Sequence, residues 1–219
     1  MNATLIYNGQ EVTFYDCNPD DCIERDLLAG NWYELPNLEF IRNLNIRGDY
    51  LDAGAYIGTH SIFFAMFCQS TMVYSIEPQT DINGKLCDNI VKNGANCYPI
   101  KVALSDHEGR ACFRSGNTNR GGAALSAGDE VQIVELDSLN LQNIKLAKID
   151  VENSELAVLR GGRQTLQTVE HLFIEQWSEN TCKKYGIPYI GQKVIDLLKE
   201  YGFKYQRELW SDLHYWSRF

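Results

Sequence analysis

Apolar residues along this chain fall into short runs separated by turn residues, and the runs alternate between two periods. Gly48 to Leu51, Met72 to Ile76, Cys97 to Leu104, Ile144 to Ile149 and His171 to Ile174 read as strands, mostly apolar on both faces. Thr59 to Phe67, Asp81 to Lys92 (closed by Asn93-Gly94), Leu156 to Leu166 and Lys193 to Tyr201 read as the helices between and after them. Such alternation predicts an α/β fold with parallel strands joined by right-handed crossovers. Pro99 places the third strand at a sheet edge. Phe203 to Arg207 and Leu213 to Trp216 predict a closing hairpin that adds one antiparallel strand. Gly161-Gly162 should weaken their helix by roughly 1 kcal/mol each, which close packing against the sheet would explain.

The first 47 residues follow another pattern. Leu5-Ile6-Tyr7 and Val12-Thr13-Phe14 flank Asn8-Gly9, a strong hairpin signal. Asp20-Asp21 open a helix over Cys22 to Leu28 that Gly30 ends, and Trp32-Tyr33-Glu34 lead into a helical stretch around Leu38 to Leu44. The expected organisation is a hairpin-and-helix appendage over 1–47 and a core domain over 48–219. Between Cys112-Phe113-Arg114 and Val131 to Val134, two short strand-like runs, lies a polar Gly/Asn loop without the Lys-Ser/Thr that a phosphate loop needs.

The strand-to-helix turn Asp52-Ala53-Gly54-Ala55-Tyr56-Ile57-Gly58 carries the first candidate chemistry. Gly54 permits a sharp exit from the strand, Gly58 a close backbone approach, and the helix beginning at Thr59 offers free N–H groups. A dinucleotide cradle uses G-x-G-x-x-G, whereas here an acid precedes the glycines, which favours a cationic ligand without phosphates. S-adenosylmethionine (SAM) is such a ligand. Glu77, at the end of the next strand, stands where a ribose-binding carboxylate is expected. Asp52, Gly54, Tyr56, Gly58, Thr59 and Glu77 therefore form the expected cofactor set.

The formal net charge of -9 argues against tracking a nucleic-acid backbone. Seven scattered cysteines without a C-x-x-C pair fit reduced thiols better than a disulfide frame or zinc site. No basic-plus-apolar leader opens the chain and no run approaches the roughly eighteen apolar residues of a membrane span, so a cytoplasmic protein is expected.

The runs DAGAYIGTHSIFF, SIEP, KVALSDHEG, KIDVENSELAVLRGG and FIEQ, taken together, resemble the FkbM family of SAM-dependent methyltransferases. The resemblance extends from about residue 20 to the C-terminus, departing where Asn153 and Ser154 replace the family's usual Gly and Ala. It implies a Rossmann-like class I methyltransferase fold, a mostly parallel seven-stranded sheet with an antiparallel C-terminal strand. It also implies O-methylation of a sugar hydroxyl, on a carbohydrate or glycosylated small molecule. By the same resemblance Ser105-Asp106 would lie by the adenine, Glu34 near the cofactor, and Gly121 to Leu125 along the acceptor. A polyketide-like acceptor, or a non-catalytic module supporting a partner enzyme, are the alternatives.

Asp150 ends the fourth strand, where ligands of open parallel sheets bind, so it joins the expected cofactor-binding residues, and it doubles as a helix cap. Glu152 and Glu155 fall in the first helical turn, where the dipole favours acids in any case. Asp150 and Glu152 are the catalytic candidates, with His214 of the closing hairpin as a possible base. Of the other histidines, His60 sits in the cofactor turn. Asp150 and Glu175, at neighbouring strand ends, would alternatively hold Mg2+ or Mn2+ with Glu152 in support.

Overall fold

The computed structural model describes residues 1–114, 124–128 and 130–219. Strands β1 (Ala3–Tyr7) and β2 (Gln10–Phe14) pair antiparallel through Asn8-Gly9, both at positive φ, as the hairpin signal requires. Helix α1 (Cys22–Leu28) starts at Asp21, whose carboxylate accepts the N–H groups of Ile23 and Glu24. Helix α2 (Leu35–Asn43) begins three residues earlier than expected because Pro36 suits a first helical turn.

The core then runs β3 (Gly48–Ala53), α3 (Thr59–Phe67), β4 (Ser70–Ile76), α4 (Thr80–Asn93) and β5 (Cys97–Ile100). It continues through β6 (Ala103–Ser105), β7 (Gly109–Arg114), β8 (Ala124–Ala127) and β9 (Val131–Glu135). The last elements are β10 (Ile144–Ile149), α5 (Glu155–Gly161), β11 (His171–Glu175), α6 (Glu179–Tyr185), α7 (Gly191–Glu200), β12 (Lys204–Glu208) and β13 (Leu213–Ser217). Seven strands form the main sheet in the order β12-β13-β11-β10-β3-β4-β5, and only β13 runs against the others. Pro99 does sit on the edge strand β5.

Three local expectations needed correction. The run Cys97 to Leu104 is two strands: β5 ends the main sheet, while β6 turns away to join a second sheet, β6-β9-β7-β8, that periodicity did not predict. Helix α5 stops at Gly161, and Thr165–Thr168 forms a separate 3-10 turn. Gly161 packs so closely on β6 that a Cβ there would collide with the Ser105 carbonyl, so the close-packing explanation holds, but against the second sheet. Helix α6 was missed, although Ser178 caps its start and Gly186 its end. The segment 115–123 lies outside the described residues, and with it most of the stretch 121–125 expected along the acceptor.

The two faces of the main sheet bury separate cores. One face gathers Tyr50, Leu146, Phe173 and Tyr215 under α3, α4 and the N-terminal segment, with Leu5, Phe14, Leu27, Trp32 and Leu38 in the same cluster. The other gathers Leu51, Ala147, Ile149, Leu172 and Ile174 under α5 and α7. Residues 1–47 thus share a core with the sheet. Strand order reverses beside β3, where β4 and β10 flank it, and this opens a crevice at the carboxyl ends.

Candidate active site

At that crevice Ile23, Tyr33, Glu34, Gly54, Tyr56, Glu77, Asp150, Glu152, Glu175, Trp177 and Ser211 line one cavity. Its floor is set by backbone packing. Gly54 lies at φ 86° against β10, where any Cβ would strike the Asp150 carbonyl, and the Asp150 N–H bonds the Ala53 carbonyl at 3.0 Å. A residue with a side chain at 54 would push apart the strand ends that carry Gly54 and Asp150.

Glu77 closes one end. Its Oε1 accepts the Gln79 N–H at 2.8 Å and its Oε2 the Tyr56 N–H at 3.1 Å. Burial pushes its carboxyl up to about 7, against the pull of those two N–H groups. Each oxygen keeps one lone pair beyond the bond it already accepts. Tyr56 takes a left-handed φ of 51°, and its hydroxyl donates to Glu24 Oε1 at 2.7 Å. Glu24 is fully buried and also accepts the Asn18 N–H and the Lys85 ammonium, so helix α1 holds the turn in place.

The other end is acidic. Lys148 donates to Asp150 Oδ2 at 2.9 Å and lies 3.9 Å from Asp52 Oδ1, its partner across the β3–β10 ladder. Burial works against the Lys148 charge, but Asp150, Asp52 and Glu34 outweigh it and hold the ammonium protonated. Burial likewise works against the Asp150 charge, and Lys148 reverses the balance, keeping that carboxyl below its ordinary range. Burial and the Asp150 and Glu155 charges push Glu152 up to about 8. Burial with Asp150, Glu152 and Glu155 pushes Glu175 up to about 11, and its buried Oε2 has no hydrogen-bond partner among the described residues. One ionised acid on a fixed cation therefore stands beside two acids that keep their protons near neutral pH.

Gly54, Tyr56, Glu77, Asp150, Glu152 and Glu175 come together as expected from the sequence, and Glu34, 7% exposed, lines the same cavity with its Oε2 3.3 Å from His60 Nε2. Other candidates do not reach it. Asp52 was expected at the mouth, but it is still a strand residue, fully buried, with Oδ2 accepting the Ser61 hydroxyl at 2.6 Å. Gly58 and Thr59 shape the start of α3, and a Cβ on Gly58 would meet Leu86 at 2.9 Å. Ser105 ends β6 with its hydroxyl 3.2 Å from His107 Nδ1. His214, on β13, pairs with Ile174 of β11 and sets its ring 6.0 Å from Tyr205, outside the cavity. The divalent-cation site is also corrected: among the described residues no three His, Cys, Asp or Glu side chains form a metal-binding group. Asp150 is already paired with the Lys148 ammonium at 2.9 Å, which would repel a cation placed beside it, so that donor set does not fit a hard cation.

Sequence reasoning missed Lys148, Glu24, Tyr33 and Trp177. Lys148 had a signal: a lysine inside a strand buried on both faces is rare unless paired. Tyr33 and Trp177 reach the cavity, and Glu24 reaches Tyr56 behind it, only through tertiary packing.

Known proteins resemble this chain in sequence and in fold. A 29% identical stretch of 136 residues is shared with the hexuronic acid methyltransferase AglP of Haloferax volcanii, covering 57% of this chain and 54% of that protein. The crystal structure of a methyltransferase FkbM from Methylobacillus flagellatus superposes with a TM-score of 0.59 at 14% identity, over 89% of this chain and 52% of that one. Aeropyrum pernix fibrillarin, solved with natively bound S-adenosyl-L-methionine, superposes with a TM-score of 0.55 at 11% identity, over 97% of this chain and 81% of that one. The chain thus spans about half the length of the first two of these proteins. At such identities the superpositions establish the fold, that of the class I SAM-dependent methyltransferases. The methyltransferase FkbM domain model matches residues 52–205, from the buried Asp52 through both ends of the cavity and into β12, and the chain belongs to that family.

Proposed function

We propose that this protein is a SAM-dependent O-methyltransferase that acts on a hydroxyl of a sugar. The observation that carries the proposal is the single cavity joining Gly54, Tyr56 and Glu77 to Asp150, Glu152 and Glu175. The residues fit SAM: Glu77 presents two oxygens, each with a lone pair left, to a ribose diol, and the acids suit a ligand bearing a sulfonium and an ammonium. Bound SAM supplies an activated methyl group.

The protein's own part is orientation and proton removal. Asp150, fixed by Lys148, accepts a hydrogen bond from the acceptor hydroxyl and aims its oxygen. Glu152, in the ionised fraction that grows as pH rises through about 8, takes up the proton that the hydroxyl loses. Glu175, protonated, donates to a neighbouring sugar oxygen. The resemblance of AglP to this chain supports a carbohydrate acceptor. Lys148, the buried cation at this end, is committed to Asp150 and Asp52, and the acids around it suit the hydroxyls of a neutral sugar.

Calorimetric titration with SAM and S-adenosylhomocysteine tests the cofactor assignment. Ribose hydroxyls donate to the ionised form of Glu77, whose carboxyl titrates near 7 in the free protein. Affinity should therefore be flat above pH 7 and fall by up to about tenfold per unit below it. Glu77→Ala should weaken binding by about 1.5–3 kcal/mol and remove the pH dependence. Binding of NAD in preference to SAM would refute the assignment.

A further inference from the structure

The turn between β12 and β13 is built to hold one tryptophan in the open beside the cavity. Trp210 is 56% exposed, the neighbouring Ser211 lines the cavity, and Ser211 and Asp212 both take left-handed φ values of 63° and 56°. Two consecutive non-glycine residues in that region are costly unless the surroundings enforce them. Here they do. Asn37 of α2, 1% exposed, donates from Nδ2 to the Trp210 carbonyl at 2.9 Å and accepts the Trp210 N–H through Oδ1 at 3.0 Å. The Gln176 N–H, next to cavity residues Glu175 and Trp177, bonds the Asp212 carbonyl at 3.0 Å.

A buried amide that clamps both backbone groups of one residue fixes where its side chain emerges. The Trp210 ring stands edge-on to Tyr33, a cavity residue, with centroids 6.4 Å apart. The cavity wall thus continues outward from Tyr33 onto an open indole, with the acids behind it. Aromatic faces carry large apolar area at little entropic cost, and sugar rings present C–H faces that lie against them while their hydroxyls meet carboxyls.

From this geometry we infer that Trp210 is an acceptor-binding platform outside the methylated position, so that the acceptor is an oligosaccharide whose second unit rests on the indole. The inference rests on the sugar-hydroxyl reading of the cavity and adds the acceptor's length. The test is an array of neutral mono-, di- and trisaccharide glycosides probed with the protein saturated with S-adenosylhomocysteine. Ligands of two or more units should bind at least tenfold better than the matching monosaccharide. Trp210→Ala should abolish that advantage and Trp210→Phe should restore most of it, with S-adenosylhomocysteine affinity the same in all three proteins. Equal binding of mono- and oligosaccharides, or an advantage that survives Trp210→Ala, overturns the platform and leaves the sugar reading standing. Binding of no glycoside, with S-adenosylhomocysteine held normally, overturns both. Unchanged glycan binding together with loss of a dimer in Trp210→Ala would assign the indole to self-association and overturn the platform.

Discussion

Replacing Lys148 with methionine is expected to destabilise the protein by about 3–5 kcal/mol, the range for removing one partner of a buried ion pair. The lysine is 1% exposed, and its loss would leave Asp52, fully buried, with only the Ser61 hydroxyl. Asp150 would suffer less, because its side chain is 30% exposed and water can reach it. Urea unfolding of Lys148→Met should show a lower midpoint at nearly constant slope. Adding Asp52→Asn should recover a large part of the loss, because the cost lies in the orphaned carboxylate rather than in the missing ammonium. A loss below about 1 kcal/mol, as for an exposed pair, would show that the three groups do not depend on one another.

Asp150→Asn should leave the fold nearly intact yet lower turnover by about a hundredfold, the scale of a lost orienting or acid–base group. The amide keeps an oxygen for Lys148 to donate to, which is why stability should hold. It loses the charge that accepts the hydrogen bond donated by the acceptor hydroxyl and, through repulsion, keeps Glu152 near 8. Steady-state kinetics with saturating SAM and acceptor decide the matter. Unchanged turnover would reject Asp150 as the orienting group.

The main sheet was legible because each strand is a short apolar run and each following helix has its own period and cap. Glu77 and Asp150 were legible for the same reason: both end strands, and strand ends in parallel sheets face the ligand crevice. Asp52 shows where that reasoning stopped. One residue, Ala53, separates it from Gly54, and whether the chain turns before or after such an acid decides between the cavity and the core. The turn begins after Ala53, so Asp52 points into the sheet's packed face and became the partner of Lys148. His214 failed differently, since adjacent strand residues face opposite ways and the hairpin register could not be read from its residues. The second sheet was missed as a sheet, although two of its strands lie in runs that read as strand-like, because β6, Ala103–Ser105, is only three residues long and continues the run that begins in β5. The N-terminal segment's share in the cavity, through Ile23, Tyr33 and Glu34, depends on its packing onto the same core as β3 and β10. Local pattern carries no information of that kind.

The proposed function is methyl transfer from SAM to a sugar hydroxyl at the carboxyl ends of β3, β4, β10 and β11. The most direct measurement is incubation of the protein with methyl-deuterated SAM and a panel of neutral oligosaccharides, with products read by tandem mass spectrometry. The account predicts one deuterated methyl per product, located on a ring hydroxyl, formed by the native protein and strongly reduced in Asp150→Asn. Deuterated methyl on no sugar hydroxyl, while SAM binds normally, would contradict it.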